Sequence, residues 1–279
     1  MQNQTPKVSV IIPMYNDQDY VADALESVIA QTYSNLEIIC IDDHSQDQSR
    51  KIVQGYQDTF PIKLFTLTKN HGPSYARNQG IESSSGEYIL PLDADDKIDP
   101  TYIEKAVEVI NSNHEVSVVY SKGRLFGTIN TLWKLPPYNA KKMSTRNLVP
   151  NCALYRKADW ERYKGYNESM IYGYEDWDFW LYFVEEKKIF HQIDEVLFFY
   201  RQKTVSRNTQ AVKIKAQRHT HKVIRKNHPC LFTYSAFIKN PYLILSLLQN
   251  IRRFLIQIKI QKTTTIIRIL GIYVIQKET

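Results

Sequence analysis

The chain has 279 residues, 43% of them hydrophobic, which allows one large α/β domain with an appendage. Three widely spaced cysteines, Cys40, Cys152 and Cys230, exclude a disulfide scaffold and a paired-cysteine metal site and point to a reducing compartment. The net charge of +7 is lopsided: residues 212–279 carry 13 Lys/Arg and one acid, Glu278, whereas residues 1–211 carry 23 Lys/Arg against 28 acids.

Residues 8–12 form a β-rich run ending at Pro13, and 17–31 read as a helix, with Val21, Ala24, Leu25, Val28 and Ile29 at helical spacing. Residues 36–41 make a second apolar strand closed by Asp42-Asp43, then 46–56 a helix and 62–67 a third strand. Gly72-Pro73 opens a helix to residue 84, with Pro in its first turn. Residues 88–92 are a fourth strand running into acids; a helix from Pro100 to about 110 and a strand over 116–120 follow. This alternation predicts an α/β fold, a Rossmann-like, mainly parallel sheet flanked by helices. Strands that are apolar throughout fit a sheet covered on both faces. Ligands of such sheets bind beyond the carboxyl ends of the strands. There Tyr15, Asn16, Asp42, Asp43, Asp93, Asp95 and Asp96 gather from three strands.

The pattern is irregular over 128–147, which predicts a surface excursion beside the site. Residues 148–155 return to the sheet, 175–186 read as an aromatic-rich helix and 189–193 as a strand. The charge shift places a boundary near 211, dividing a catalytic domain, 1–211, from a basic helical extension, 212–279. In the extension Ile251, Phe254, Leu255 and Ile258 recur at helical spacing beside Arg252, Arg253 and Lys259. Residues 241–275 are therefore expected to meet anionic lipid headgroups, the other reading being helices docked on the catalytic domain. With no apolar run of 18 residues and a polar start over 1–7, neither a spanning helix nor a secretory leader is expected. The expected place is the cytoplasm, peripheral on the inner face of the cytoplasmic membrane.

Asp93-Ala94-Asp95-Asp96 carries the chemistry most directly. Carboxylates at i and i+2 after a strand can share a hard divalent cation, Mn²⁺ or Mg²⁺, with phosphate oxygens. Such a cation offsets the charge of a leaving diphosphate. Asp42 and Asp43 can accept from a nucleobase or ribose, or cap the next helix. Tyr15 offers a ring for stacking, and Arg77 a cation for a diphosphate or for a salt bridge. Glu175-Asp176 opens a helix, where its dipole favours negative charge, and offers a general base. Tyr172, Tyr174 and Trp177 beside it could be platforms for a sugar ring or core aromatics.

Five segments appear in order: Val8-Ser-Val-Ile-Ile-Pro-Met-Tyr-Asn16, Ile41-Asp-Asp-His-Ser-Gln-Asp47, Gly72-Pro-Ser-Tyr-Ala-Arg-Asn-Gln-Gly-Ile81, Gly86-Glu-Tyr-Ile-Leu-Pro-Leu-Asp-Ala-Asp-Asp96 and Glu175-Asp-Trp-Asp178. Together they resemble the family 2 glycosyltransferases of GT-A fold over residues 6–206. The resemblance implies an inverting transferase that takes a sugar from a nucleotide diphosphate sugar, usually a UDP-sugar, to a glycan or lipid-linked acceptor in cell-surface polysaccharide synthesis. It implies that Pro13, Tyr15, Asn16, Asp42, Asp43, Arg77, Asp93 and Ala94 seat the nucleotide. It makes Asp93 and Asp95 the metal ligands, Asp176 the base, and Glu175 and Trp177 acceptor contacts. One departure is Lys203, where the family often has a metal-binding His; an ammonium only donates, so Lys203 is expected to face the diphosphate or to be a solvated loop residue. Competing readings are a nucleotidyltransferase, which lacks its Gly-rich basic loop here, and a non-catalytic nucleotide or glycan binder. The basic extension alone suggests nucleic acid and leaves the acidic crevice unexplained, so no nucleic-acid partner is expected.

Overall fold

The structure, a computed structural model, describes residues 5–203, 210–233, 240, 242–245, 248–249, 267–269 and 272–274. The chain forms two compact units, Met1–Leu231 and Phe232–Thr279. The charge shift near 211 thus falls inside the first unit.

The first unit begins with β1 (Val8–Met14), α1 (Val21–Ile29), β2 (Leu36–Asp42), α2 (Ser49–Gln57), β3 (Ile62–Thr66), α3 (Pro73–Glu82) and β4 (Tyr88–Pro91). All seven residues of β1 are buried, because helices cover both faces of the sheet there. Helix α1 buries Val21, Ala24, Leu25 and Val28, the stripe its spacing predicts. Helix α3 lies close to β1: a Cβ on Gly80 would stand 2.6 Å from an Ile11 methyl, so only glycine fits.

Next come β5 (Lys97–Ile98), α4 (Tyr102–Ser112), β6 (Val116–Gly127), β7 (Thr131–Trp133), α5 (Ala140–Met143), β8 (Leu154–Arg156) and α6 (Lys157–Arg162). Helix α7 (Glu175–Glu185), strand β9 (Ile189–Gln202) and helix α8 (Gln210–Asn227) follow. The sheet order is β3-β2-β1-β4-β8-β6-β9-β5, with β7 added to β6. Strands β3, β2, β1 and β4 are parallel, as expected. Beyond β4 the sheet is mixed: β8 is antiparallel to β4 and β6, and β6 is parallel to β9. Strand β9 runs 14 residues, far past the expected 189–193, because its bulged pairing with β6 carries it to Gln202. The excursion over 128–147 holds β7 and α5, and α6 was not foreseen.

The chain steps from β1 to β2 on one side and reaches β4 on the other, so the strand order switches between β1 and β4. The carboxyl ends of those strands are where such folds bind ligands. Behind them, Phe179, Trp180 and Phe183 of α7 pack edge-on around Tyr155 of β8, which anchors α7 to the sheet.

In the second unit, β10 (Ile267–Ile269) and β11 (Ile272–Val274) form an antiparallel pair where a helical extension was expected. The helical pattern at Ile251–Ile258 lies outside the described residues. Among the described residues no helix is long and apolar enough to cross a membrane.

Candidate active site

After β1 the chain turns through Tyr15 and Asn16, whose φ of 56° is left-handed. Asparagine tolerates this region because its short side chain bonds locally. Its Oδ1 accepts from the Gln46 N–H at 2.8 Å, and its own N–H donates to Ser45 Oγ at 3.0 Å. The loops after β1 and β2 are thereby tied together. Asp42 and Asp43 then separate in role. Asp42 Oδ1 accepts from the Ser45 N–H at 3.0 Å, while its Oδ2 is buried without a hydrogen-bond partner. Asp43 accepts from the His71 and Gly72 N–H groups at 2.8 and 2.7 Å, which holds the start of α3. Neither acid caps α2; Asp47 accepts from the Ser49 N–H there.

Arg77, on α3, is only 3% exposed. Its guanidinium donates to Asp93 Oδ1 at 2.5 Å and to Glu175 Oε1. A planar fork suits two carboxylates at once. Asn151 also donates to Asp93 Oδ1, at 3.2 Å. Arg77 is thus neither a surface salt bridge nor an open cation, but the tie between α3, the β4 loop and α7.

Asp93, Asp95 and Asp96 place carboxylate oxygens within 4.8 Å of one another, a hard-oxygen set suited to Mg²⁺ or Mn²⁺. Burial, then the charges of Asp95 and Asp93, push Asp96 well above the carboxylate range, and Asp96 accepts from the Arg201 N–H at 2.8 Å. Lys203, just past β9, stands 2.7 Å from Asp95 Oδ2 and 3.3 Å from Asp17 Oδ1, with its Nζ 4.3 Å from the Tyr20 ring centre. It is no solvated loop lysine.

Gly173 and Tyr174 are both left-handed, with φ of 89° and 68°, and turn the chain into α7. A tyrosine held there marks a backbone constrained by its surroundings. The turn delivers Glu175 and Asp176 into the first turn of α7, where the helix dipole favours anions. Burial and then the neighbouring Glu175 raise Asp176 to about 7, against the opposing Trp177 N–H, Arg77 and Asn147.

Two cavities meet here. One, of about 550 Å³, is lined by Pro13, Tyr15, Asp43, Ala94, Asp95 and Lys203. The other, of about 360 Å³, holds Asp176, Asn147, Asn151, Tyr174 and Trp133. Arg77, Asp93, Gly173, Glu175 and Tyr200 line both and form the shared wall. Trp133 stacks on Tyr200 with ring centres 5.0 Å apart, giving the smaller cavity an aromatic side.

Asn16, which is exposed, and Asp42, which is buried, do not line the larger cavity. Trp177, expected to meet an acceptor, is 4% exposed and donates its indole N–H to Met143 O at 2.7 Å. It packs α7 against α5 instead. Glu175 lines both cavities, but its Oε1 is engaged by Arg77, so it supports the wall rather than reaching freely for an acceptor. Asp17, Arg201, Trp133, Asn147, Asn151 and Tyr200 were missed. Asp17 is adjacent to Tyr15-Asn16 and could have been found there. Trp133 and Asn147 fall in the stretch without periodicity, where no sequence signal points inward.

A sheet of this order, with an acid cluster at its switch point, is a GT-A fold, and solved structures agree. One is S. aureus TarS in complex with UDP (TM-score 0.61, 20% identity, 80% of this chain and 69% of that one). Another is the mannosyltransferase PcManGT from Pyrobaculum calidifontis in complex with GDP-Man and Mn²⁺ (TM-score 0.63, 18% identity, 88% and 73%). The family model described as glycosyl transferase family 2 matches residues 9–173, and the chain belongs to that family. Chondroitin synthase from Escherichia coli is 28% identical over 229 residues, 80% of this chain and 33% of that one. The chain spans between 30% and 61% of the length of the curated relatives it matches first.

Proposed function

We propose that this chain moves a sugar from a nucleoside diphosphate sugar to a hydroxyl of a growing glycan, with inversion at the anomeric carbon. The observation that carries the reading is the wall of Arg77, Asp93 and Glu175 between two cavities, one with Asp95 and Lys203 and the other with Asp176. The larger cavity takes the nucleotide. Tyr15 lies beside the base, and the unpartnered Asp42 Oδ2 offers an acceptor to a base N–H through a small shift of the lining. A UDP-sugar is the favoured donor, in keeping with the UDP held by TarS.

Asp93 and Asp95 would hold Mn²⁺ or Mg²⁺, which when bound neutralises charge on the leaving diphosphate. Lys203 adds a tethered cation to the same side. The acceptor sits in the smaller cavity against Trp133 and Tyr200. Its hydroxyl gives a proton to Asp176, its oxygen bonds to the anomeric carbon, and the bond to the diphosphate oxygen breaks with the electron pair leaving on phosphate. A carboxylate near 7 is a stronger base than an ordinary one and is still substantially ionised at neutral pH. The likeness to chondroitin synthase supports a polysaccharide acceptor. The basic extension, through residues 241–275, brings the enzyme to anionic lipid at the inner membrane face and so to a lipid-linked acceptor.

The test is nucleoside diphosphate release from UDP-, GDP- and dTDP-sugars with Mn²⁺ or Mg²⁺, for wild type and Asp176→Asn. Metal-dependent release from one donor, lost in the variant, supports the reading. A variant as active as wild type removes Asp176 from the mechanism, and no nucleotide binding at all overturns the reading.

A further inference from the structure

Asn147 lies in the irregular stretch between α5 and β8, yet its side chain reaches the first turn of α7. Its Nδ2 donates to Asp176 Oδ2 at 2.7 Å, and its Oδ1 accepts from the Val149 N–H at 3.2 Å. The second bond decides which way the amide points: with the oxygen on Val149, the NH₂ faces Asp176. The other oxygen, Asp176 Oδ1, accepts from the Trp177 N–H at 2.8 Å. Each oxygen of the carboxylate therefore has one donor, and its plane is set from two sides. The segment bearing Asn147 is itself braced. Leu148 and Val149 are buried, the Trp177 indole holds Met143 O, and Asn139 caps α5 by accepting from the Lys142 N–H at 3.0 Å. Asn147 and Asp176 line the same cavity, and the remaining lone pairs of the carboxylate are left for a hydroxyl there.

We propose that Asn147 is the positioning residue of the base: it aims the Asp176 carboxylate at the acceptor cavity and favours its ionised form. This rests on reading Asp176 as the base. A donor to a carboxylate stabilises the charged state. Asn147 acts with the Trp177 N–H and Arg77 against burial and Glu175. Tyr166 and Tyr200 also lie in the field of Asp176, and burial pushes both hydroxyls up, so they stay neutral. Without the amide, Asp176 takes up its proton at higher pH. Asn147→Asp keeps the shape but replaces the donor by an acid, which acts in the same direction more strongly.

The experiment follows the ¹³Cγ resonance of Asp176, identified by its loss in Asp176→Asn, against pH in wild type, Asn147→Ala and Asn147→Asp. The midpoint is expected to rise in that order, by about one pH unit for Asn147→Ala, as the loss of a hydrogen bond to a charged group implies. With the donor that gives most nucleoside diphosphate release, kcat at pH 7 falls about fivefold in Asn147→Ala and recovers as pH is raised. Donor KM stays within about twofold. A midpoint unmoved in both variants overturns the proposal, because a residue that only shapes the loop lowers the rate equally at every pH. Asn147→Asp is isosteric, so misfolding of the alanine variant does not remove the test. Failure of the base assignment is separate: release that persists in Asp176→Asn refutes that reading and leaves the titration shift standing.

Discussion

Lys203 Nζ lies 2.7 Å from Asp95 Oδ2, which sets a tethered cation on one of the acids suited to hold a divalent metal. Burial works against its charge, but the hydrogen bond and field of Asp95, with Asp17 behind it, push its pKa above the ordinary lysine value. Lys203 therefore remains an ammonium throughout the working range. On the proposed reading it would compete with metal for Asp95 in the free protein and face the diphosphate once nucleotide binds.

Lys203→Met is expected to bind Mn²⁺ more tightly, by up to about fivefold, given the modest worth of a part-exposed ion pair. The same variant is expected to bind UDP more weakly. Electron paramagnetic resonance of free Mn²⁺ and calorimetric titration with UDP check the two effects separately. Unchanged affinities for both would show that the lysine does neither job.

On the proposed reading, Asp176→Asn would remove the base without removing volume. Release of nucleoside diphosphate is expected to fall by about 10²–10⁴-fold, with nucleotide affinity kept. In wild type, kcat/KM is expected to rise with pH through about 7, because Asp176 accepts a proton only when ionised and titrates there. A flat profile between pH 5.5 and 8 would be at odds with this assignment.

Arg77→Ala leaves Glu175 and part of Asp93 without their counter-charge inside the protein. Breaking a buried pair from one side costs about 3–5 kcal/mol. Urea unfolding is expected to show a midpoint lowered accordingly. Arg77→Lys is expected to recover only part of this, since an ammonium lacks the two-pronged fork. Full stability in the lysine variant would mean that charge alone, not geometry, holds the wall.

His228 is fully buried, with Nε2 3.3 Å from Asp178 and Nδ1 3.2 Å from Glu185, and so clamps the end of α8 onto α7. Burial opposes its charge, but Asp178 and then Glu185 raise its pKa above the usual histidine value. A raised pKa means that the clamp contributes fully below the unfolded value of about 6.5 and is lost as pH rises through the folded value. Thermal unfolding of wild type and His228→Gln should differ most near pH 6 and converge at alkaline pH. A constant difference would assign the loss to packing alone.

The parallel half of the sheet was readable because its determinants are local: continuous apolar runs, a helical stripe at Val21–Val28, Pro73 at a helix start, and acids where β2 and β4 end. The acids after β4 were likewise readable, since their spacing along one turn is all that brings them together. The mixed half was not. Whether β9 pairs with β6 or stops at residue 193 depends on a partner strand, and nothing within β9 itself encodes that pairing.

By itself the sequence determined the class of fold, the strand ends that carry the site and the identity of the acids, because periodicity and turn chemistry act over a few residues. Only the tertiary structure decided what those acids touch. Arg77 and Glu175 are 98 residues apart, and their pairing turns an expected acceptor contact into part of a wall. Trp177 went inward because α5 supplied a carbonyl for its indole, and Asn147 reached Asp176 because the loop below it is packed. Burial and long-range hydrogen bonds assign these roles, and both exist only after the chain has folded.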